Sequence, residues 1–158
     1  MIRPILNDPN FPGTVLRQVA EPVTDFNEDV RHLVQDLTDT LYDSGGIGLA
    51  ANQIGALQRV CVIDLTQGKP NRKNLLVFVN PKLRKARGEQ KMNEGCLSLP
   101  NRQARPTRHA RIEVEAQDVE GRSFRIRADG LLAVCIQHEM DHLDGILMTA
   151  RETLGLTA

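Results

Sequence analysis

Apolar residues recur at helical spacing along two stretches of the chain. The first stretch predicts a helix from about Asn27 to Ser44. Asn27 or Asp25 can cap its start, and Gly45 with Gly46 can end it in a left-handed turn. Its apolar stripe consists of Val30, Leu33, Val34, Leu37 and Leu41.

The second stretch predicts a helix from about Leu131 to Leu143. Asp129 suits the N-cap position, because its carboxylate can accept a hydrogen bond from a backbone N–H group of the first turn. Gly145 lies just past the predicted end, where a left-handed residue commonly terminates a helix. The sequence therefore predicts one helix near the start of the chain and one near its end.

Between the two helices the chain is rich in β-branched residues and predicts strands. The last two strands alternate between apolar and polar residues, and the letters VEGR between them suit a hairpin turn. We interpret the chain as an α+β fold, with antiparallel or mixed strands packed around the second helix, in a single domain covering residues 1–158. The predicted strands are Arg59–Leu65, Leu75–Leu83, Arg111–Asp118 and Ser123–Ala128.

Composition and charge exclude several classes of function. Twenty basic and twenty acidic residues balance, so charge gives no reason to expect nucleic acid or an anionic membrane as a partner. No apolar run approaches the length of a membrane span, and the first residues lack the apolar core of a signal peptide. Three cysteines cannot all pair within the chain. This favours a reduced compartment, either the cytoplasm or an organellar stroma or matrix, although no transit peptide is visible.

The second helix carries the pattern H-E-x-x-H in the letters QHEMDHLDG. His138 and His142 are four residues apart, so they share one face of a helix and can bind one ion. Glu139 is rotated by about 100° from His138, which lets it act on the open side of the metal without being a ligand. A catalytic metal usually has three protein ligands and an open position, so a third ligand is expected elsewhere.

The third ligand is expected upstream, because the residues after His142 contain neither histidine nor cysteine. His32 and His109 are interpreted as surface residues, and Cys61 as a thiol of the core. Cys135 precedes His142 by about 10 Å along the helix axis, at about 1.5 Å per residue. One ion cannot contact both side chains, so Cys135 is expected to line the pocket. One cysteine remains as a candidate for the third ligand.

That cysteine is Cys96, in the letters EGCLSLP. Gly95 permits unusual backbone angles, and Pro100 is expected to stop strand pairing. Cys96 can therefore project into a site while neighbouring backbone N–H groups stay free. A Cys/His/His set contains a soft thiolate and could hold Zn(II) or Fe(II), either of which would activate bound water.

The glycine-rich letters GGIGLAANQIG follow the first helix. They do not fit a phosphate loop, because no strand precedes them and no Lys-Ser/Thr pair follows. The small residues Gly48, Ala50 and Ala51 would allow the main chain of a ligand to approach closely. Gln53 either donates its amide N–H to a developing oxyanion or satisfies the backbone of its own loop, and the spacing alone supports both.

Three segments together, GIGLAANQ, EGCLSLP and QHEMDHLDG, resemble the signature motifs of the peptide deformylase family, in the same order and at similar separations. The resemblance implies a metal-dependent hydrolase that removes the N-formyl group from the N-terminal formylmethionine of newly made polypeptides and releases formate. The matching positions are Cys96, His138 and His142 for the metal, Glu139 for acid/base catalysis, and Gln53 with the Leu97 N–H for the oxyanion.

The resemblance also implies a mode of substrate binding. Ile47 and Gly48 match an edge segment that pairs with the substrate main chain as an added strand. The implied cofactor is one divalent metal ion, Fe(II) natively, with Zn(II), Ni(II) or Co(II) in the purified enzyme. The implied partners are formylmethionyl nascent peptides and the ribosome. The methionine pocket is implied at Met92, Glu94, Leu131, Val134 and Cys135.

The sequence departs from the family pattern in three places. The letters NDPNFPGTVLR look longer than the usual N-terminal loop. Gln103 stands where many members have an arginine that helps to hold substrate, and Arg102 or Arg105 could replace it. The segment after Gly145 is short for a long C-terminal helix that contacts the ribosome.

Two other interpretations of the sequence remain open. The unusual residues 101–111 would also suit another metallohydrolase, such as a short peptidase. A noncatalytic metal-binding module is the second alternative, although a structural site would need neither Glu139 nor Gln53.

Overall fold

The computed structural model describes residues 1–7 and 14–157, and its elements confirm the α+β class. Short 3-10 turns lie at Val15–Arg17 and Ala51–Ile54. The longer elements, in chain order, are α1 (Glu28–Ser44), β1 (Gly48–Ala50), β2 (Val60–Ile63), β3 (Leu76–Lys91), β4 (Glu94–Cys96), β5 (Leu99–Ala104), β6 (Thr107–Gln117), β7 (Ser123–Asp129), α2 (Gly130–Leu143) and α3 (Met148–Leu154).

Five strands form an antiparallel sheet in the order β1-β2-β3-β6-β7, and β4 pairs with β5 in a separate two-stranded sheet. β2 lies between the two long helices, so all four of its residues are buried. Val60 and Val62 pack with α1 on one face, whereas Cys61 and Ile63 pack with α2 on the other. A strand covered on both faces gives a continuous apolar run in the sequence.

Helix α1 has the predicted boundaries and the predicted apolar face. The Asn27 side chain accepts a hydrogen bond from the Asp29 N–H at 2.9 Å, which caps the start. Gly45 ends the helix with a left-handed φ of 70°. The stripe packs on the sheet through the buried residues Val30, Leu33, Leu37 and Leu41, with Val34 partly buried.

Helix α2 is buried over most of its surface, because the sheet, the 3-10 turn Ala51–Ile54 and the β4–β5 hairpin surround it. It begins at Gly130, and Asp129 occupies the N-cap position without making a side-chain capping bond. Gly145 follows the helix with a φ of 71°, as predicted. A Cβ atom at Gly145 would lie 2.5 Å from the Arg17 carbonyl oxygen, so only glycine fits this position.

The structure corrects several sequence-based boundaries. β3 continues to Lys91, and β6 begins at Thr107, because the two strands pair with each other beyond the apolar segments that predicted them. Pro100 lies inside β5 and does not stop pairing with β4. Proline is tolerated there because a two-stranded sheet consists of edge strands, in which alternate N–H groups point outward.

Helix α3 was missed, because it has only seven residues and no side-chain cap. The N-terminal loop thought to be unusually long falls partly on residues 8–13, outside the described residues. Within residues 1–7 and 14–157, none of the helices has the length and apolar content needed to span a bilayer.

Candidate metal centre

A cavity of about 430 Å³ lies between the segment after α1, the β4–β5 hairpin and one face of α2. Two larger cavities elsewhere, of about 710 and 520 Å³, are lined by neither histidine nor cysteine. Of these three cavities of the described residues, the smallest is the one lined by histidine and cysteine. Among the predicted site residues, its lining includes Ile47, Gly48, Gln53, Glu94, Cys96, Leu97, Leu131, Val134, Cys135, His138 and Glu139.

The three predicted metal ligands converge at this cavity. Cys96, His138 and His142 each offer a ligand atom, and these atoms all lie within 4.8 Å of one another. The Cys96 Sγ lies 3.3 Å from the His142 Nε2. This is the one such group of histidine, cysteine and carboxylate side chains found in the described ranges. One soft thiolate and two imidazoles at this separation fit a divalent transition metal.

Secondary structure explains how these side chains meet. The two histidines lie one helical turn apart on the same face of α2, with ring centroids 5.0 Å apart. Cys96 is the last residue of β4 and pairs with Leu99, which leaves a two-residue turn of Leu97 and Ser98. A tight hairpin thus presents the thiol to the helix.

His138 is oriented by a buried ion pair. Its Nδ1 lies 2.9 Å from the Glu94 Oε1, which leaves Nε2 as the ring nitrogen available to the site. Arg108 donates to both oxygens of Glu94, at 2.9 and 2.8 Å. A carboxylate bonded to the distal nitrogen of a ligating histidine fixes the ring and its tautomer.

His142 is almost completely buried. Burial lowers the pKa of His142 well below its usual value, with a further lowering from the charges of His138 and Arg108. A neutral imidazole retains the lone pair that metal binding requires. Its Nδ1 has no hydrogen-bond partner among the described residues.

Glu139 is buried beside the two histidines, with 4% of its surface exposed. Burial raises the pKa of Glu139 to about 7, even though His138 and Arg108 lower it. Its Oε2 has no hydrogen-bond partner among the described residues. A carboxyl group that titrates near neutrality and has a free oxygen can both accept and return a proton.

Gln53 satisfies its own loop and also presents its side-chain amide at the cavity. Its Oε1 accepts a hydrogen bond from the Ala50 N–H at 3.0 Å, which satisfies its own loop. Its Nε2 donates to the Ser98 Oγ at 3.1 Å and lies 3.8 Å from the Cys96 Sγ. The Leu6 N–H also bonds to the Gln53 carbonyl oxygen, so backbone and side chain are both held. The amide N–H group is thus fixed at the cavity.

The apolar part of the cavity is formed by α2. Leu131 is 47% exposed, whereas Val134 and Cys135 are buried. Burial raises the pKa of Cys135 to about 12, so this thiol stays protonated and behaves as an apolar wall. Met92 is half-buried and does not line the cavity, and the two oxygens of Glu94 are already engaged by Arg108 and His138.

The other candidate ligands lie away from the metal-binding group. His32 is exposed and Cys61 is buried in the core, as predicted. His109 is half-buried rather than exposed, and its Nε2 lies 2.7 Å from the Thr157 carbonyl oxygen. Arg102 and Arg105 are exposed and do not line the cavity.

Three residues in or behind the cavity lining were missed by sequence reasoning. Gln67 reaches the cavity from the loop after β2, and its Nε2 donates to the Gly45 carbonyl oxygen. Ser98 is fully buried against Gln53. Arg108 is the most deeply buried of the charged residues around the site. The letters 101–111 gave no signal for Arg108, because a buried arginine in a polar strand looks like a surface residue.

Comparison with known proteins gives one consistent family. A family model described as Polypeptide deformylase matches residues 2–154. A peptide deformylase of Acidobacterium capsulatum is 45% identical over 151 residues, which cover 96% of this chain and 86% of that relative. The peptide deformylase structure from Legionella pneumophila is 42% identical, with a TM-score of 0.88, and covers 96% of this chain and 86% of that one. The structure from Thermotoga maritima is 32% identical, with a TM-score of 0.86, and covers 96% and 97%. The chain belongs to the peptide deformylase family, whose members are metal-dependent hydrolases that remove the N-formyl group from newly made polypeptides.

Proposed function

We propose that residues 1–158 act as one catalytic domain that hydrolyses the formamide of N-terminal formylmethionine, with Cys96, His138 and His142 holding one divalent metal ion. The observation that carries this assignment of residues is the convergence of three ligand atoms within 4.8 Å of one another beside the buried Glu139. Hydrolysis of the formamide releases formate and leaves a free α-amino group on methionine.

The native metal is proposed to be Fe(II), with Zn(II), Ni(II) or Co(II) able to occupy the same ligands. The thiolate of Cys96 supports a soft or borderline ion over Mg²⁺ or Ca²⁺. A divalent ion held by these ligands supplies an activated water at neutral pH and polarises a carbonyl oxygen. The free thiols of Cys61, Cys96 and Cys135 support a reduced, cytoplasmic setting, which would also protect the ligand thiolate.

Glu139 is proposed to move the proton during hydrolysis. Its pKa of about 7 lets the carboxylate accept a proton from the attacking water and return it to the leaving amine at neutral pH. The unpartnered Oε2 is the atom available for this transfer.

Gln53 and the Leu97 N–H are proposed to stabilise the oxyanion. The Gln53 Nε2 faces the cavity from a held position, and it adds a donor without adding charge. Leu97 lies in the two-residue turn between β4 and β5, so its N–H does not belong to the strand pairing. Both N–H groups would then donate hydrogen bonds to the formyl oxygen, on which negative charge develops during hydrolysis.

The substrate peptide is proposed to add to the open edge of β1. β1 pairs with β2 on one side and is the last strand of the sheet on the other. Ile47 and Gly48 lie at this edge and line the cavity. The Ile47 carbonyl oxygen accepts from the Asp64 N–H on the β2 side, so the backbone groups of the next residue, Gly48, face the open edge and can pair with the peptide. Leu131, Val134 and Cys135 would then surround the methionine side chain. Glu94 lines the same cavity, whereas Met92 does not.

Replacement of Glu139 by glutamine tests the mechanism. We expect Glu139→Gln to lower formate release from a formyl-Met peptide by at least about 100-fold, because the amide cannot accept the proton. Bound metal, measured in protein purified anaerobically, should stay at the wild-type level. The exposed Glu120→Gln serves as a matched control and should retain activity. Full activity in Glu139→Gln would contradict the proposed role.

A further inference from the structure

A buried network of charged side chains extends beyond Glu94 and Arg108 to helix α3. Arg108 also donates to Asp141 of α2, so it bridges two carboxylates. Arg151 of α3 donates two hydrogen bonds to the same Asp141, from Nε to Oδ2 at 3.0 Å and from Nη2 to Oδ1 at 2.7 Å. The chain of contacts therefore runs from Arg151 through Asp141 and Arg108 to Glu94.

These four charges are almost completely removed from water. Their exposed fractions are 1% for Arg108, 3% for Asp141 and 6% each for Glu94 and Arg151. Two cations and two carboxylates balance one another, so the cluster is neutral as a unit. Without Arg151 it would carry a net negative charge, with one oxygen of Asp141 lacking its partner. Leaving a buried charge without a partner is costly, so the remaining groups would rearrange.

The far end of this network is a proposed metal ligand. Glu94 is the carboxylate that holds the Nδ1 of His138. A change in how Arg108 divides its donors between Asp141 and Glu94 would therefore alter the position and basicity of His138. Arg151 itself does not line the cavity, so it has no contact through which to act on the substrate.

We infer that Arg151 is a positioning residue for the metal centre, acting through Asp141, Arg108 and Glu94 on His138. Helix α3 is thus a functional part of the site, although it lies behind the ligands. This inference rests on the proposed assignment of His138 as a ligand. Partners that orient a ligating side chain typically change metal affinity by about 10- to 100-fold when they are lost.

The test is the affinity of the metal-free protein for Co²⁺, measured anaerobically by competition with a chelator. We expect Arg151→Gln to raise the Kd for Co²⁺ by roughly 10-fold. This is the lower end of the range of about 10- to 100-fold for such partners, because several residues lie between Arg151 and the metal ligand. Arg151→Lys keeps the charge but loses the bidentate contact, so its Kd should fall between those of Arg151→Gln and the wild type. The KM for a formyl-Met peptide should stay unchanged in the metal-loaded variants.

Val30→Ala is the control for a merely structural role. Val30 is buried at the start of α1, on the face of the sheet opposite to α2 and outside the charged network. This variant should lower stability to urea while keeping the wild-type Kd for Co²⁺. The inference is overturned if both Arg151 variants bind Co²⁺ as tightly as the wild type, or if Val30→Ala weakens binding as much as they do. If Arg151→Gln does not fold, Arg151→Lys decides the matter by the same criteria.

A further variant separates this inference from the proposed function. His142→Ala removes a proposed ligand directly and should abolish tight binding of Co²⁺. Wild-type affinity in His142→Ala would show that the metal site itself is assigned wrongly. Loss of affinity in His142→Ala together with unchanged affinity in both Arg151 variants would refute only the role of Arg151.

Discussion

Gly48 and Glu139 show how a single side chain constrains the site. A Cβ atom at Gly48 would lie 2.6 Å from the Glu139 Oε1, closer than nonbonded atoms can approach. From the sequence alone, the small residues of this segment are explained by the close approach of a ligand's main chain. The structure adds a second reason, because the buried carboxylate occupies the space that a side chain would need.

We predict that Gly48→Ala will reduce kcat/KM for a formyl-Met peptide by about 100-fold, the order of loss expected from a displacement of about 1 Å at a reacting group. The methyl group would push the Glu139 carboxylate away from its position. The amount of bound metal should not change, because the three atoms nearest to the added methyl group all belong to Glu139 and not to a proposed ligand.

A double-mutant cycle checks that this loss acts through Glu139. If it does, adding Gly48→Ala to Glu139→Gln should cause little further loss of formate release. Independent, multiplying losses would instead mean that Gly48 acts mainly through the substrate backbone.

The loop after β2 shows how one buried residue organises a whole element. The Asp64 carboxylate accepts hydrogen bonds from the Tyr42 hydroxyl at 2.7 Å, from Thr66 and from the Gly68 N–H. These contacts shape the turn that brings Gln67 to the cavity. The element therefore depends on an ionised acceptor at its first residue.

The same contacts predict a pH dependence of stability. Burial alone would raise the pKa of Asp64, but the hydrogen bonds from Thr66, Tyr42 and Gly68 outweigh it and lower the pKa overall. The unfolded value is about 3.9. The stabilisation is therefore present above about pH 4 and is lost as the pH falls through the lower folded pKa.

We predict that Asp64→Asn will lower the free energy of unfolding at pH 7 by roughly 1–3 kcal/mol, because the amide nitrogen faces donors and leaves some of them unpaired. The difference between variant and wild type should narrow as the pH falls below about 4. Urea unfolding over a pH series measures both effects. The exposed Asp43→Asn should show little difference at any pH. A constant difference across the series would refute the role of the ionised carboxylate.

At the scale of the whole molecule, the metal should link the elements thermodynamically. Its proposed ligands come from β4 and α2, which meet only in the folded chain. A ligand that binds only the folded state at 100 times its Kd stabilises it by about 2.7 kcal/mol. For a domain of this size we therefore predict that Co²⁺ at that ratio raises the Tm of the metal-free protein by about 5–11 °C.

His142→Ala provides the control for this prediction. The variant should show little change in Tm on addition of Co²⁺, since one of the three proposed ligands is missing. An equal rise in the variant and in the wild type would place the stabilising site elsewhere. Thermal unfolding followed by circular dichroism, with and without a chelator, is sufficient to distinguish the two outcomes.

The sequence alone predicted both long helices and the strands of the sheet core, because each depends on local pattern. It also predicted the group Cys96, His138 and His142. Helical spacing identified α1 and α2, and the H-E-x-x-H motif needs only one helical turn to place its two histidines together. Cys96 was found by elimination, and the three motifs together identified the family.

Tertiary structure decided everything that depends on contacts between distant segments. The extension of β3 and β6 comes from their pairing with each other, and the polar strand ends carried no local signal. The contact that fixes the Gln53 amide at the cavity comes from Ser98, which is 45 residues away in the chain. Arg108 and Arg151 read as surface arginines in the sequence, because a buried charge is tolerated only where its partners converge, and those partners come from β4 and α2. The sequence thus determined which groups could do the chemistry, and the folded chain decided how they are held.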